Sequence, residues 1–400
     1  MNRRLPEFFV ALSLINLSAV AADEAFSARP PLETTSVLAP VSEHEAADVT
    51  DGFSWGPVRV RPHAVYRFLH GTGILQRPGL EEETQLHQFA PGLLFQSGEV
   101  WSVDYTPNLK WYSNDRFKDT LDHAVTFAGR LYGDPWSFNL SQRYLNTSEP
   151  LSETGRQTDQ EKHLTDFSAA YRYSDKSSLS FGISQSINLA SEFNDSYQWS
   201  SLNWFHHQWL DHLGFGLGFG GGYASVEMGS NMAFESVQTR LQWTPGDKLR
   251  LDVHGGIEIR QFLDHTGSDR INPLAGITAS YQPFSPTLLT LKVNRAVNNS
   301  LIGSQIAETF SFSASLRQRL AGKVFLHINA GRRTTDYLGM TARFRSERSD
   351  ELDYLDVRAS THILKKGSIA VFIHVSDNAS TASGFSYDSR QVGFEISYRF

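Results

Sequence analysis

From Val58 to the final Phe400 the chain repeats one arrangement: about ten residues alternating apolar and polar, then a turn signal. A period of two places alternate side chains on opposite faces of a β-strand. In LRLDVHGGIEI, Leu249, Leu251, Val253, Ile257 and Ile259 share one face, while Arg250, Asp252, His254, Glu258 and Arg260 share the other. KVFLHINAGR, TFSFSASLRQR, SIAVFIHVS and VRVRPHAVYRF repeat the pattern. It predicts an all-β chain of about eighteen strands, the first at 58–69 and the last at 388–400, with about sixteen also compatible.

The connections alternate as well. QSGE, SDKS, PGDK, QPFSP, AGK and KKG are tight, whereas HGTGILQRPGLEEETQ, NTSEPLSETGRQTDQEK and TDYLGMTARFRSERSD read as long polar loops. Short turns at one end and long loops at the other predict a transmembrane antiparallel outer-membrane β-barrel with both termini on the periplasmic side. Aromatic residues near strand ends, among them Trp101, Trp111, Tyr171, Tyr173, Trp204, Trp209, Trp243 and Tyr281, fit the interfacial girdles of such a barrel. A soluble sandwich is the rival, but no linker-like shift in composition interrupts the strand series. The last ten residues, QVGFEISYRF, alternate Val392, Phe394, Ile396, Tyr398 and Phe400 with small or charged residues. They resemble the C-terminal signal read by the barrel-assembly machinery.

Before the first strand the chain changes character. MNRR, an apolar run from Phe8 to Val20 and Ala19-Val20-Ala21 predict a cleavable signal peptide over 1–21. Residues 22–57, polar and proline-containing, predict a flexible periplasmic leader, which leaves 58–400 for the barrel. The chain has no cysteine, so disulfides and thiolate metal sites are excluded. Its net charge of −7 gives no pull towards nucleic acid.

Catalytic signals are weak, and no cofactor or metal is expected. HEAAD at 44–48 lacks the second histidine of a zinc helix. The glycines of GFGLGFGGG recur at every second residue of a strand rather than in a phosphate loop, and no spacing singles out a Ser-His pair.

Parity sorts the charges. The polar faces carry Arg59, Arg61, Arg67, Lys110, Arg130, Arg143, Arg172, Arg240, Arg250, Arg260, Lys292, Arg317, Arg319, Lys323, Arg333, Arg358 and Arg399. The acids assigned to them are Asp104, Asp166, Asp252, Glu258, Asp356 and Glu395. The expected lumen wall is therefore net basic although the chain is acidic, which favours anions along a pore.

Three features fit the scheme poorly. Pro62, Pro91 and Pro107 fall inside the first three strands and imply a bulge or a strand end. The segment 197–210 has large groups on both parities, so its faces stay unassigned. The segment 213–226 offers only glycine inward at 214, 216, 218, 220 and 222, a bare wall against which other side chains could pack.

The stretch LKVNRAVNNSLIGSQIAETFSFSASLRQRLAGKVFLHINAGRRTTDY carries Arg295, Gln318-Arg319-Leu320, a tight turn before Lys323, and Thr335-Asp336-Tyr337. It resembles the putative beta-barrel porin 2 family, close to the exopolysaccharide-locus barrels similar to EpsL. The resemblance covers about residues 55–400. It implies a Gram-negative outer-membrane pore, associated with extracellular polysaccharide, and gives no catalytic residues to carry over. The sequence expectation is thus a passive channel for small solutes or an acidic polysaccharide, non-enzymatic, in contact with outer-membrane lipid and lipopolysaccharide. The alternatives are a non-conducting barrel that binds a partner through its outer loops and an outer-membrane hydrolase.

Overall fold

The computed structural model describes residues 52–74, 82–151, 153, 156–227, 231–263, 269–300, 305–339 and 348–399. The signal peptide, the leader up to residue 51 and Phe400 lie outside the described residues. The regular structure within them is entirely β. The strands are β1 (Phe53–Trp55), β2 (Val58–Thr72), β3 (Thr84–Ser97), β4 (Trp101–Tyr112), β5 (Thr120–Gly133), β6 (Trp136–Leu151), β7 (Arg156–Ser174), β8 (Ser177–Ala190) and β9 (Ser196–Leu210). They continue with β10 (Leu213–Val226), β11 (Met232–Trp243), β12 (Leu249–Phe262), β13 (Arg270–Phe284), β14 (Thr287–Asn299), β15 (Gln305–Leu320), β16 (Val324–Gly339), β17 (Arg348–Leu364), β18 (Gly367–Ser380) and β19 (Tyr387–Arg399).

From β2 onward each strand pairs antiparallel with its chain neighbours. β19 returns to β2, with Glu395 opposite Arg67 and Arg399 opposite His63, which closes a barrel of 18 strands. Closure leaves no free edge, the condition for backbone to cross hydrocarbon. The outward face carries the apolar series: Leu121, Ile257, Val371 and Val392 are each at least half exposed. Such an exterior is unfavourable in water and suits lipid, so the barrel spans a membrane. Tyr66 and His87 (2.8 Å) and Tyr105 and His123 (3.0 Å) hydrogen-bond on this outer face, giving amphipathic pairs of the kind that favour an interface.

Four expectations are revised. The end of the leader is ordered: residues 53–55 form β1, paired with Val58–Val60. The three prolines produce neither a bulge nor a strand end. Pro62 lies on the edge of β2 between the stretch held by β1 and the stretch held by β19. Pro91 and Pro107 fall within the one stretch, 90–92 against 106–108, where the β3–β4 ladder lapses, so the two missing donors share a single gap. The outer connections are shorter than their polarity suggested. β6 runs to Leu151 and β7 starts at Arg156, and β16 and β17 reach Gly339 and Arg348. Above the lipid both faces of a strand meet water, so period-two alternation disappears while the ladder continues.

The fourth revision concerns Lys323, which belongs to a turn rather than to a wall. Ala321 and Gly322 both take positive φ (47° and 72°) between the paired Leu320 and Val324, and the Lys323 N–H donates to the Leu320 carbonyl (3.1 Å).

Candidate functional site: the inner wall

Register places the remaining basic residues from the sequence on the face opposite the exposed apolar series. Arg59, Arg61 and Arg67 stand on β2, Lys110 on β4, Arg130 on β5, Arg143 on β6 and Arg172 on β7. Arg240 follows on β11, Arg250 and Arg260 on β12, Lys292 on β14, Arg317 and Arg319 on β15, Arg333 on β16, Arg358 on β17 and Arg399 on β19. The acids Asp104, Asp166, Asp252, Glu258, Asp356 and Glu395 have the same inward parity.

The inward carboxylates are engaged by neighbours on this wall. Glu395 binds Arg67 (2.6 Å) and Arg358 (2.6 Å). Asp252 holds Arg240 (2.7 Å) and Glu258 holds Arg260 (2.9 Å). Asp104 takes His63 (3.1 Å) and Asp356 takes His374 (2.6 Å), while Asp166 accepts from the Ser184 hydroxyl (2.6 Å). Some cations are not engaged in this way. Among the described residues the Arg130 and Arg143 side chains are exposed and make no ion pair.

Some inward charges escaped sequence reasoning. Asp122 shares the parity of Arg130 and was therefore legible; Glu149, Arg348 and Asp350 sit in the outer ends of strands that read as loop. Lys110 Nζ bridges Asp122 Oδ2 (2.6 Å) and Glu149 Oε1 (2.8 Å), reaching across β5 to β6.

No family model matches the chain, and no curated sequence does. The likeness to the porin 2 family therefore rests on the residues quoted above. Among solved structures the chain is similar to Pseudomonas aeruginosa OpdQ, with 11% identity and a TM-score of 0.49, covering 86% of this chain and 99% of that one. It is similar to Pseudomonas aeruginosa OccK8 (OprE) at 9% identity and a TM-score of 0.48, covering 88% and 99%. Pseudomonas aeruginosa OccK2 (OpdF), solved in complex with glucuronate, gives 10% identity and a TM-score of 0.47, also covering 88% and 99%.

The glycine wall of β10 is filled from both sides. Trp204 of β9 points inward and lies over Gly218, where a Cβ would come within 2.9 Å of the indole ring. Phe234 of β11 covers Gly222 in the same way, 2.4 Å from where a Cβ would stand. This settles the faces of β9: Leu202, Trp204 and His206 look inward, while Trp199, Phe205 and Trp209 are exposed outside. The strand carries large groups on both parities because it faces lipid on one side and a groove without side chains on the other.

The two ends of the wall differ. Around the extracellular rim Thr84, Thr158, Met232 and Ser389, drawn from four strands of the ring, are fully buried. Ala224, Val226, Met232, Phe234, Phe262, Val297 and Ile306 form an apolar cluster there, with Leu338 against it. At the periplasmic end Arg130, Arg319 and Arg399 are exposed.

Catalytic geometry is weak. Ser177 Oγ meets His207 Nδ1 at 2.9 Å on the outer face. Among the described residues no carboxylate orients that imidazole, so the pair lacks the third member of a hydrolytic triad.

Proposed function

We propose that the chain is an outer-membrane channel for the passive passage of small solutes, with a preference for anions. The supporting observation is the charge balance on the inner wall: the basic side chains named on it outnumber the carboxylates, and among the described residues the exposed Arg130 and Arg143 make no ion pair. Cations fixed along an aqueous path raise the local anion concentration and slow cations. A barrel of this strand number is wide enough to hold water. The buried extracellular rim favours small solutes over an acidic exopolysaccharide as cargo. Outward-facing Val392, Phe394, Ile396 and Tyr398 suit recognition by the barrel-assembly machinery, and the apolar exterior suits outer-membrane lipid and lipopolysaccharide.

The test is the reversal potential of the purified barrel in a planar bilayer under a salt gradient. Anion preference is expected, with a shift towards cations in the double variant Arg130→Glu/Arg143→Glu. Clear cation preference in the parent protein rejects the charge argument. A second reading, a non-conducting barrel acting through its outer loops, draws on the same buried rim; negligible conductance at any voltage would favour it.

A further inference from the structure

The outer ends of the wall meet across the mouth at one place. β6 and β7, with 16 and 19 residues, form an overlong hairpin. At about 3.3 Å per residue the longer arm reaches about 60 Å along the strand. A tilt of roughly 40° turns that into about 45 Å along the barrel axis, against an apolar band about 25 Å tall. The surplus stands outside the membrane, and it bends inward.

Glu153, at the tip, accepts a hydrogen bond at Oε1 from Ser300 Oγ (2.6 Å) and at its carbonyl oxygen from Arg348 Nη1 (3.1 Å). Ser300 follows β14 and Arg348 opens β17. Round the ring, β8 to β13 separate the hairpin from β14 on one side. On the other side β18, β19 and β2 to β5 separate it from β17. Both contacts are therefore on the opposite wall.

The receiving residues are held firmly. Arg348 is 4% exposed, bound through Nε to Asp350 (2.9 Å), with its guanidinium over the rings of Tyr337 (4.5 Å) and Phe385 (3.5 Å). Ser300 is buried. The inward side of the hairpin is buried too, at Thr158 and Gln160. Among the described residues both amide atoms of Gln160 are without a hydrogen-bond partner. Desolvating that amide opposes closure, and opening would return it to water.

We propose that the β6–β7 hairpin is a strap across the extracellular mouth, latched by Glu153 to Ser300 and Arg348, which restricts passage through the channel. The role as a restriction rests on the channel reading above; the latch itself does not. Opening exchanges the hydrogen bonds at the tip for water contacts and returns Gln160 to solvent.

The chain has no cysteine, so Glu153→Cys/Ser300→Cys supplies a unique thiol pair. A short, reducible, thiol-specific bifunctional cross-linker is applied to the folded barrel, and the product is read by intact mass and by bilayer conductance. An intramolecular cross-link is expected, with conductance lowered about twofold or more and restored by reductant. The variant Glu153→Ala/Ser300→Ala should match or exceed the conductance of the reduced state. If no intramolecular cross-link forms, or if cross-linked and reduced barrels conduct equally, the strap is overturned. A cross-link with no current in either state would leave the latch standing and overturn the channel.

Discussion

Lys110 offers the sharpest stability prediction. Its ammonium group lies between two carboxylates, Asp122 at 2.6 Å and Glu149 at 2.8 Å, and the three side chains are 5%, 5% and 13% exposed. Asp122 also accepts at Oδ1 from the Ser148 N–H (3.1 Å), which ties the cluster to the backbone of β6. At an effective dielectric constant near 20, each contact is worth about 6 kcal/mol before desolvation is subtracted. Lys110→Met removes both attractions and leaves two buried anions facing each other, for which the net loss should be about 3–5 kcal/mol. The measurement is guanidinium unfolding of the refolded barrel in lipid vesicles, followed by tryptophan fluorescence. The triple variant Lys110→Met/Asp122→Asn/Glu149→Gln should recover most of the loss, because no anion is then stranded, and the single substitutions should be strongly non-additive. A loss below about 1 kcal/mol for Lys110→Met, or a triple variant no more stable than the single, would refute the reasoning.

Two further predictions use the same assay. Trp204→Ala uncovers the glycine groove of β10 and should cost about 3–5 kcal/mol, with a smaller loss for Trp204→Phe; equal losses would show that the ring does not fill the groove. Phe394→Arg puts a cation on the lipid face, where Phe394 packs against Tyr66 and Phe68 at ring distances of 6.0 and 5.6 Å. It should cost about 2–4 kcal/mol and reduce the heat-modifiable folded band on gels, whereas Ser397→Arg on the inner face should cost far less.

The part of the fold within the membrane was legible because lipid outside and water inside force alternation. The pairing Leu251–Ala279 and the opposed Asp252–Thr278 simply continue the two-residue period of LRLDVHGGIEI around the ring. Legibility failed where that contrast disappears. Glu149 and Asp350 project from strand ends that have water on both sides, so neither showed a period. The faces of β9 were hidden because Trp204 answers the missing side chains of its neighbour, a relation between strands that no single segment displays. The link from Glu153 to Ser300 joins the side chains of residues 147 apart, and nothing in the local pattern announces it. Asp122 is the exception, since its parity follows directly from that of Arg130 on the same strand.

β1 has a consequence for how the cylinder is sealed. Its three residues take the foot of the β2 edge at Val58–Val60, and the β19 ladder takes His63–Thr72 directly above. Two ribbons thus share one rail end to end, and the lower acts as a stop for the upper. If the closing strand slid by four positions towards that foot, Glu395 would face His63 instead of Arg67, and Arg399 would fall opposite Arg59, a berth already taken by Ser54. A few residues ahead of the wall can thereby fix the registry of the last joint to be made.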